Sequence, residues 1–385
     1  MPTAKRTHGF TESVIRGMTR LANQHAAINL AQGFPNFPAP SVLKQEAARA
    51  IDAEINQYAI TWGSQRLRNV LALRYHDWYG MDVDPEAEVT ITCGSTEAMA
   101  TTLLSLVNPG DEVVVLEPFY ENYGPDTILC DARPVYVPMV VGQPLDMERI
   151  AAAFSRRTRA VIINTPNNPT GKVFTADELR GIAALCIRHD AYAVTDEIYE
   201  HIVYTGEHIP IATLPGMRER TITISGASKT FSVTGWRVGT IVAPRAETDA
   251  IRKVHDFLTV GAPAPLQEGV AAGLELLGAD YYRGLRSEYQ ARREIMYRGL
   301  IAAGFRCEPP EGSYYILADF SELSELPDDE FASWLTKVIG VAVVPGSSFF
   351  SRPELGRRLV RFAFCKTAEV LEEAARRLRK VGQAQ

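Results

Sequence analysis

The sequence predicts an α/β fold: a mostly parallel central sheet with helices on both faces, joined to a smaller α+β domain. Three observations predict it. From about Ser64 to Leu277, short β-branched runs alternate with segments whose apolar residues recur at helical spacing, and strands separated by helices build parallel sheets covered on both faces. Beyond that region come a long Arg-rich amphipathic helix, three strand candidates and a closing helix. The length, 385 residues, exceeds one average domain. The division expected is an N-terminal arm at 1–45 that joins the small domain, a large domain at 46–284, and a small C-terminal domain at 285–385.

Taken in order, the strand candidates of the large domain are EVTITC, DEVVVLEP, RAVIINTP, AYAVTDEIY, RTITISGASK and GTIVAP, with ADELRGIAALCIRHD as a clear helix among them. In the small domain YYRGLRSEYQARREIMYRGLIAAGF reads as the long helix. GSYYILADF, VAVVPGSSFF and LVRFAFCK read as strands, and EVLEEAARRLRKV closes the chain as a helix.

Bulk composition excludes several classes. With 46% apolar residues, 22% charged residues and a formal net charge of −6, the chain is ordinary globular protein without the basic field that nucleic acid requires. Five scattered cysteines, never spaced C-x-x-C, argue for reduced thiols in the cytoplasm and against a metal site or disulfide framework. MPTAKRTHGF has no signal-peptide core, and no apolar run of membrane-spanning length occurs. Neither export nor a membrane is expected.

Ligands of such sheets bind beyond the carboxyl ends of the strands, and four strand candidates end in distinctive chemistry. EVTITC runs into Gly94, Ser95 and Thr96 before a helix, a hydroxyl-rich N-terminus that suits phosphate; the plainer reading is a helix cap. RAVIIN ends in NTPNNPTGKV, whose Asn168 offers an amide, though as composition it is only a loop. AYAVTDEIYE puts Asp196 at the end of an apolar run, with Tyr199 one short turn later. A carboxylate there faces a cation or donor, unless it caps a helix. TITISGAS delivers Lys229, where burial and cationic neighbours would lower its pKa as Schiff-base formation requires. A P-loop would need glycine at Ser228 and at Thr223, so that reading fails.

One ligand satisfies all four strand ends: pyridoxal phosphate, a phosphorylated aldehyde with a cationic ring nitrogen and a phenolic oxygen. Lys229 takes the aldehyde and Asp196 holds the ring nitrogen protonated. Asn168 and Tyr199 donate to the ring oxygen, while Ser95, Thr96 and Arg237 receive the phosphate.

From INLAQGFPNFP, NQYAITWGSQRLR, ITCGSTEAMA, LEPFYENY, NTPNNPTGKVF, VTDEIYEHIVY, SKTFSVTGWRVG, EGSYYIL and LVRFAFCK, in that order, the sequence resembles the fold-type-I, class I aminotransferases. KVHDFLT, APAPLQEG and QGFPNFP resemble the branch with kynurenine, glutamine-phenylpyruvate and methionine aminotransferases. The resemblance implies that Lys229 binds the cofactor and shuttles protons, that Asp196 partners the ring nitrogen, and that Tyr120 stacks on the ring. It implies that Arg361 grips the substrate α-carboxylate with help from Asn168 and the Gly33 backbone; the bare residue reads as a surface ion-pair arginine. It also implies a homodimer with shared sites, in which Tyr58 reaches the neighbouring cofactor's phosphate. Two departures stand out. Gly226 occupies a position where relatives often have serine, and no second arginine stands in HDFLTVGAPAP to hold a dicarboxylic side chain.

The function expected is therefore transfer of an amino group from a neutral amino acid (aromatic, methionine, glutamine or kynurenine type) to a 2-oxo acid. The alternative is a cysteine-S-conjugate β-lyase on the same scaffold. A transcription regulator of this fold would carry a helix-turn-helix extension ahead of the QGFPNFP segment, which begins at Gln32.

Overall fold

The computed structural model describes residues 3–383, and a seven-stranded sheet organises most of them. Its spatial order is Val89–Thr92, Gly239–Val242, Thr221–Gly226, Tyr192–Asp196, Thr158–Asn164, Glu112–Glu117, Arg133–Pro138. Every pairing is parallel except the two made by Gly239–Val242. The apolar runs are continuous because each strand feeds both faces. Val113 and Val115 join one buried cluster while Val114 and Leu116 join another, as the two-residue strand period demands.

Helices cover both faces. Ser95–Leu106 packs on Arg245–Thr259 on one side, and Ala176–His189 covers the other with Leu179, Ile182 and Cys186. That last helix starts at a capping box: the Thr175 hydroxyl accepts from the Glu178 amide, and the Glu178 carboxylate accepts from the Thr175 amide.

The C-terminal region holds a three-stranded antiparallel sheet, Val344–Pro345, Leu359–Ala363 and Tyr315–Asp319. The chain's two ends share its core. Ile15, Met18 and Leu30 pack in one cluster with Tyr289, Phe362 and Leu378, and Ile28–Asn29 pairs with Val341–Ala342.

Two elements differ from the sequence reading. VAVVPGSSFF is not one strand but two short ones, Val341–Ala342 and Val344–Pro345, which pair with different partners. The strand Arg133–Pro138 was not anticipated. It begins and ends near prolines, Pro134 and Pro138, which mask a strand in the sequence and which an edge position tolerates. None of the described helices is long and apolar enough to cross a membrane.

Candidate active site

Register gathers the functional residues at one edge of the large sheet. Asn164 lies opposite Asp196, Asp196 opposite Ile224, and Gly226 opposite Gly239. The antiparallel strand Gly239–Val242 therefore starts where its neighbours end, which brings Arg237 to the same edge. The cleft there has a volume of about 440 Å³, within the range of small-ligand sites.

Lys229 sits on the short helix Ala227–Thr230 that follows its strand, and Nζ donates to the Gly33 carbonyl at 3.3 Å. Its recessed position disfavours the ammonium and pushes its pKa down to about 8; Arg237 and Arg361 act the same way, against Asp196. Asp196 ends its strand with Oδ2 accepting from the Tyr123 hydroxyl at 2.7 Å and Oδ1 from the Ile198 amide at 3.3 Å. Burial raises its carboxyl pKa and these donors oppose the rise. Asn164 ties two strand ends together: Nδ2 donates to the Asp196 carbonyl at 2.9 Å, and Oδ1 accepts from the Asn168 amide at 2.7 Å.

A second corner collects hydroxyls and a cation. The helix Ser95–Leu106 has Gly94 as its N-cap and no side-chain cap, so the hydroxyls of Ser95 and Thr96 are not spent on capping. Both line the cleft beside Arg237 and Ser228. Glycine suits this corner because Gly94 takes a positive φ under the Arg237 guanidinium and Gly239 packs on backbone. A Cβ on Gly94, at φ +83°, would lie 2.2 Å from Arg237 Nη2, and one on Gly239 would lie 2.4 Å from the Gly94 carbonyl carbon. A Cβ on Gly226 would meet the Val238 carbonyl oxygen at 2.8 Å, so a serine at this position would be crowded by backbone. Ser228 supplies a hydroxyl instead.

The third corner is Arg361, which is 0% exposed; the surface ion-pair reading is thereby overturned. Nη1 donates to Asn168 Oδ1 at 2.8 Å and Nη2 to the Ala31 carbonyl at 2.5 Å, while Nε has no partner. A buried guanidinium with no carboxylate among the described residues is a site short of an anion.

Of the other anticipated residues, Gly33, Tyr120 and Tyr199 line the cleft. Tyr58 does not, and stands 86% exposed outside it. Sequence reasoning missed Tyr123, Ser228, Tyr315 and Arg16, of which the last three line the cleft. Tyr123, Ser228 and Tyr315 each lie within a motif quoted above, LEPFYENY, SKTFSVTGWRVG and EGSYYIL, whereas Arg16 lies in none. Together the residues offer hydroxyls and a cation for phosphate, an amine freed for an aldehyde, a buried carboxylate for a ring cation, and an arginine lacking an anion. That set fits pyridoxal phosphate with an amino acid beside it.

Comparison with known proteins agrees. The family model "Aminotransferase class I and II" matches residues 26–378. The chain is 36% identical to human kynurenine–oxoglutarate transaminase 1 over 98% of this chain and 97% of that one. It is 36% identical to the methionine aminotransferase of Escherichia coli over 96% of each. The solved structure of N-succinyldiaminopimelate aminotransferase from Mycobacterium tuberculosis superposes with a TM-score of 0.96 at 39% identity, covering 99% of this chain and 100% of that one. The chain belongs to the class I and II aminotransferases, fold-type-I enzymes that depend on pyridoxal phosphate.

Proposed function

We propose that this aminotransferase takes its amino group from a neutral L-amino acid of the aromatic, methionine, glutamine or kynurenine type and passes it to a 2-oxo acid. When bound, pyridoxal phosphate supplies an aldehyde that condenses with amines and a cationic ring that withdraws electrons. Lys229 Nζ, whose pKa is lowered to about 8, would be the amine that holds the aldehyde and, once displaced by the substrate amine, the base at the substrate Cα. Asp196 would keep the ring nitrogen protonated. Tyr199 and Nδ2 of Asn168 would donate to the ring oxygen, Tyr120 would pack on the ring, and Ser95, Thr96 and Arg237, joined by Ser228, would hold the phosphate. Arg361 binds the α-carboxylate through its planar fork, with Asn168 and the Gly33 backbone completing that wall.

Neutral specificity rests on one observation: Arg361 is the only fully buried arginine lining the cleft among the described residues. Ile15, Phe34, Tyr120 and Tyr315 also line the cleft, together with Ser13, Gln32 and Glu121. A carboxylate on the substrate side chain would find no second buried cation there among the described residues and would face the Glu121 carboxylate. The Arg16 guanidinium also lines the cleft, but it belongs to an exposed residue and meets a distal charge only through water-screened attraction. The test is kcat/KM for methionine and phenylalanine against aspartate, in wild type and in Arg361→Lys. Neutral donors should win, and the substitution should weaken every donor alike, because an ammonium cannot reproduce the fork. Preference for aspartate would assign its side chain to Arg16 and end the neutral reading. No feature of the cleft favours elimination of a side-chain leaving group over transfer.

The division into an arm at 1–45, a large domain at 46–284 and a small domain at 285–385 is supported by the core that unites Ile15, Met18 and Leu30 with the C-terminal residues. A homodimer is supported by an apolar outer surface. Tyr58 and Phe257 are 86% and 91% exposed on segments joined by the Thr61 hydroxyl, which donates to Asp256 at 2.9 Å. In that dimer Tyr58 reaches the other copy's phosphate corner. All five cysteines are unpaired, which supports a cytoplasmic setting.

A further inference from the structure

Tyr315 touches both of the site's working arms. It opens the strand Tyr315–Asp319, in which Leu317 lies opposite Arg361. Tyr315, two residues earlier, shares that face. The Arg361 guanidinium carbon consequently sits 4.3 Å from the centre of the Tyr315 ring. At its other end the Tyr315 hydroxyl lies 3.0 Å from the Tyr199 hydroxyl, both residues being buried. Among the described residues the Tyr199 hydroxyl has no other partner, while the Tyr315 hydroxyl also neighbours that of Tyr314. The chain makes room for this contact: a Cβ on Gly33 would fall 2.1 Å from the Tyr315 oxygen, so the glycine clears the slot that the hydroxyl fills.

A phenol carries one proton, so within the pair one hydroxyl donates and the other accepts. The more acidic phenol is the better donor. Arg361, a permanent cation, lies over the Tyr315 ring, whereas the Tyr199 ring faces Lys229 at 5.9 Å. Tyr199 is also closer to anionic influence, with Asp196 among the groups that disfavour its ionisation.

We propose that Tyr315 is a positioning residue: its hydroxyl donates to the Tyr199 oxygen and so directs the Tyr199 proton toward the ring oxygen of bound pyridoxal phosphate. The inference rests on the reading of Tyr199 as the ring-oxygen donor. Through its ring the same side chain holds Arg361, which couples the cofactor oxygen to the substrate carboxylate arm.

The experiment compares Tyr315→Phe, Tyr199→Phe and the double variant as holoenzymes, reading the pH midpoint of the visible absorbance of lysine-bound cofactor. Titratable and charged groups facing that lysine are Asp196, Cys365, Arg237 and Arg361, all unchanged in these variants. A donor to the ring oxygen weakens that oxygen's hold on the lysine-side proton, so losing the donor raises the midpoint. Tyr199→Phe should raise it most, and Tyr315→Phe should raise it by roughly 0.3–1 pH unit. The double variant should match Tyr199→Phe alone, because Tyr315 acts through Tyr199. Tyr315→Phe keeps the ring on Arg361, so KM for the amino acid should hold while the midpoint moves. If Tyr199→Phe shifts the midpoint and Tyr315→Phe does not, or if the two shifts add, the relay is overturned. If Tyr199→Phe itself leaves the midpoint in place, the assignment of Tyr199 fails first, and the relay with it.

Discussion

At the scale of single residues, chemistry follows from where each side chain sits relative to water. Lys229 is an ordinary lysine made nucleophilic by position. With its pKa near 8, about a tenth of the chains carry a free amine at pH 7, against well under a hundredth for an exposed lysine. The rate at which cofactor-free protein captures pyridoxal phosphate should therefore climb about tenfold per pH unit below 8 and level off above it. A rise continuing to pH 10 would show an unperturbed lysine.

Asp196 works in the opposite sense. Burial raises its pKa, so it gains by pairing with a ring cation. Asp196→Asn should keep the fold and lower turnover by roughly 100-fold or more, and near-normal turnover would reduce it to a structural residue. Lys229 and Asp196 were legible in the sequence because each ends a β-branched run. Tyr123 was not, since its partner Asp196 lies 73 residues away and nothing local marks the contact.

At the scale of elements, the site depends on three backbones meeting at one sheet edge. Gly94, Gly226 and Gly239 leave no space for a Cβ, so the strand-to-helix turns nest directly against one another. Gly226→Ser would add a hydroxyl, yet its Cβ would press on the Val238 carbonyl, and Gly239 is packed against Gly94. The expected cost is about 1–3 kcal/mol, read as a Tm lower by a few degrees together with weaker cofactor retention. An unchanged Tm with tighter cofactor binding would show that the loop relaxes and that serine serves as a phosphate ligand.

The six strand candidates of the large sheet were readable from periodicity because strands buried on both faces are continuously apolar. Their spatial order was not, since it depends on which crossovers pack. The edge strand Arg133–Pro138 escaped notice for a different reason. Its prolines are tolerated only because one side of the strand is unpaired, and that is a property of position in the sheet.

At the scale of the whole molecule, the large sheet presents Lys229 and Asp196 while the C-terminal sheet presents Arg361 and Tyr315. The cleft exists where these two layers face each other. Arg361 shows why sequence alone undervalues such residues: one arginine in an otherwise apolar strand looks exposed until the second layer covers it. Through Lys229 the assembled cleft should accept amino groups from neutral amino acids. This is tested most directly by mixing holoenzyme with excess L-methionine or L-phenylalanine, without any oxo acid, and following the visible absorbance of lysine-bound cofactor. Either amino acid should discharge the band and a 2-oxo acid should restore it, aspartate should discharge it far more slowly, and Lys229→Ala should show neither change. A band that aspartate discharges faster than methionine and phenylalanine, or a Lys229→Ala variant that cycles like wild type, would contradict it.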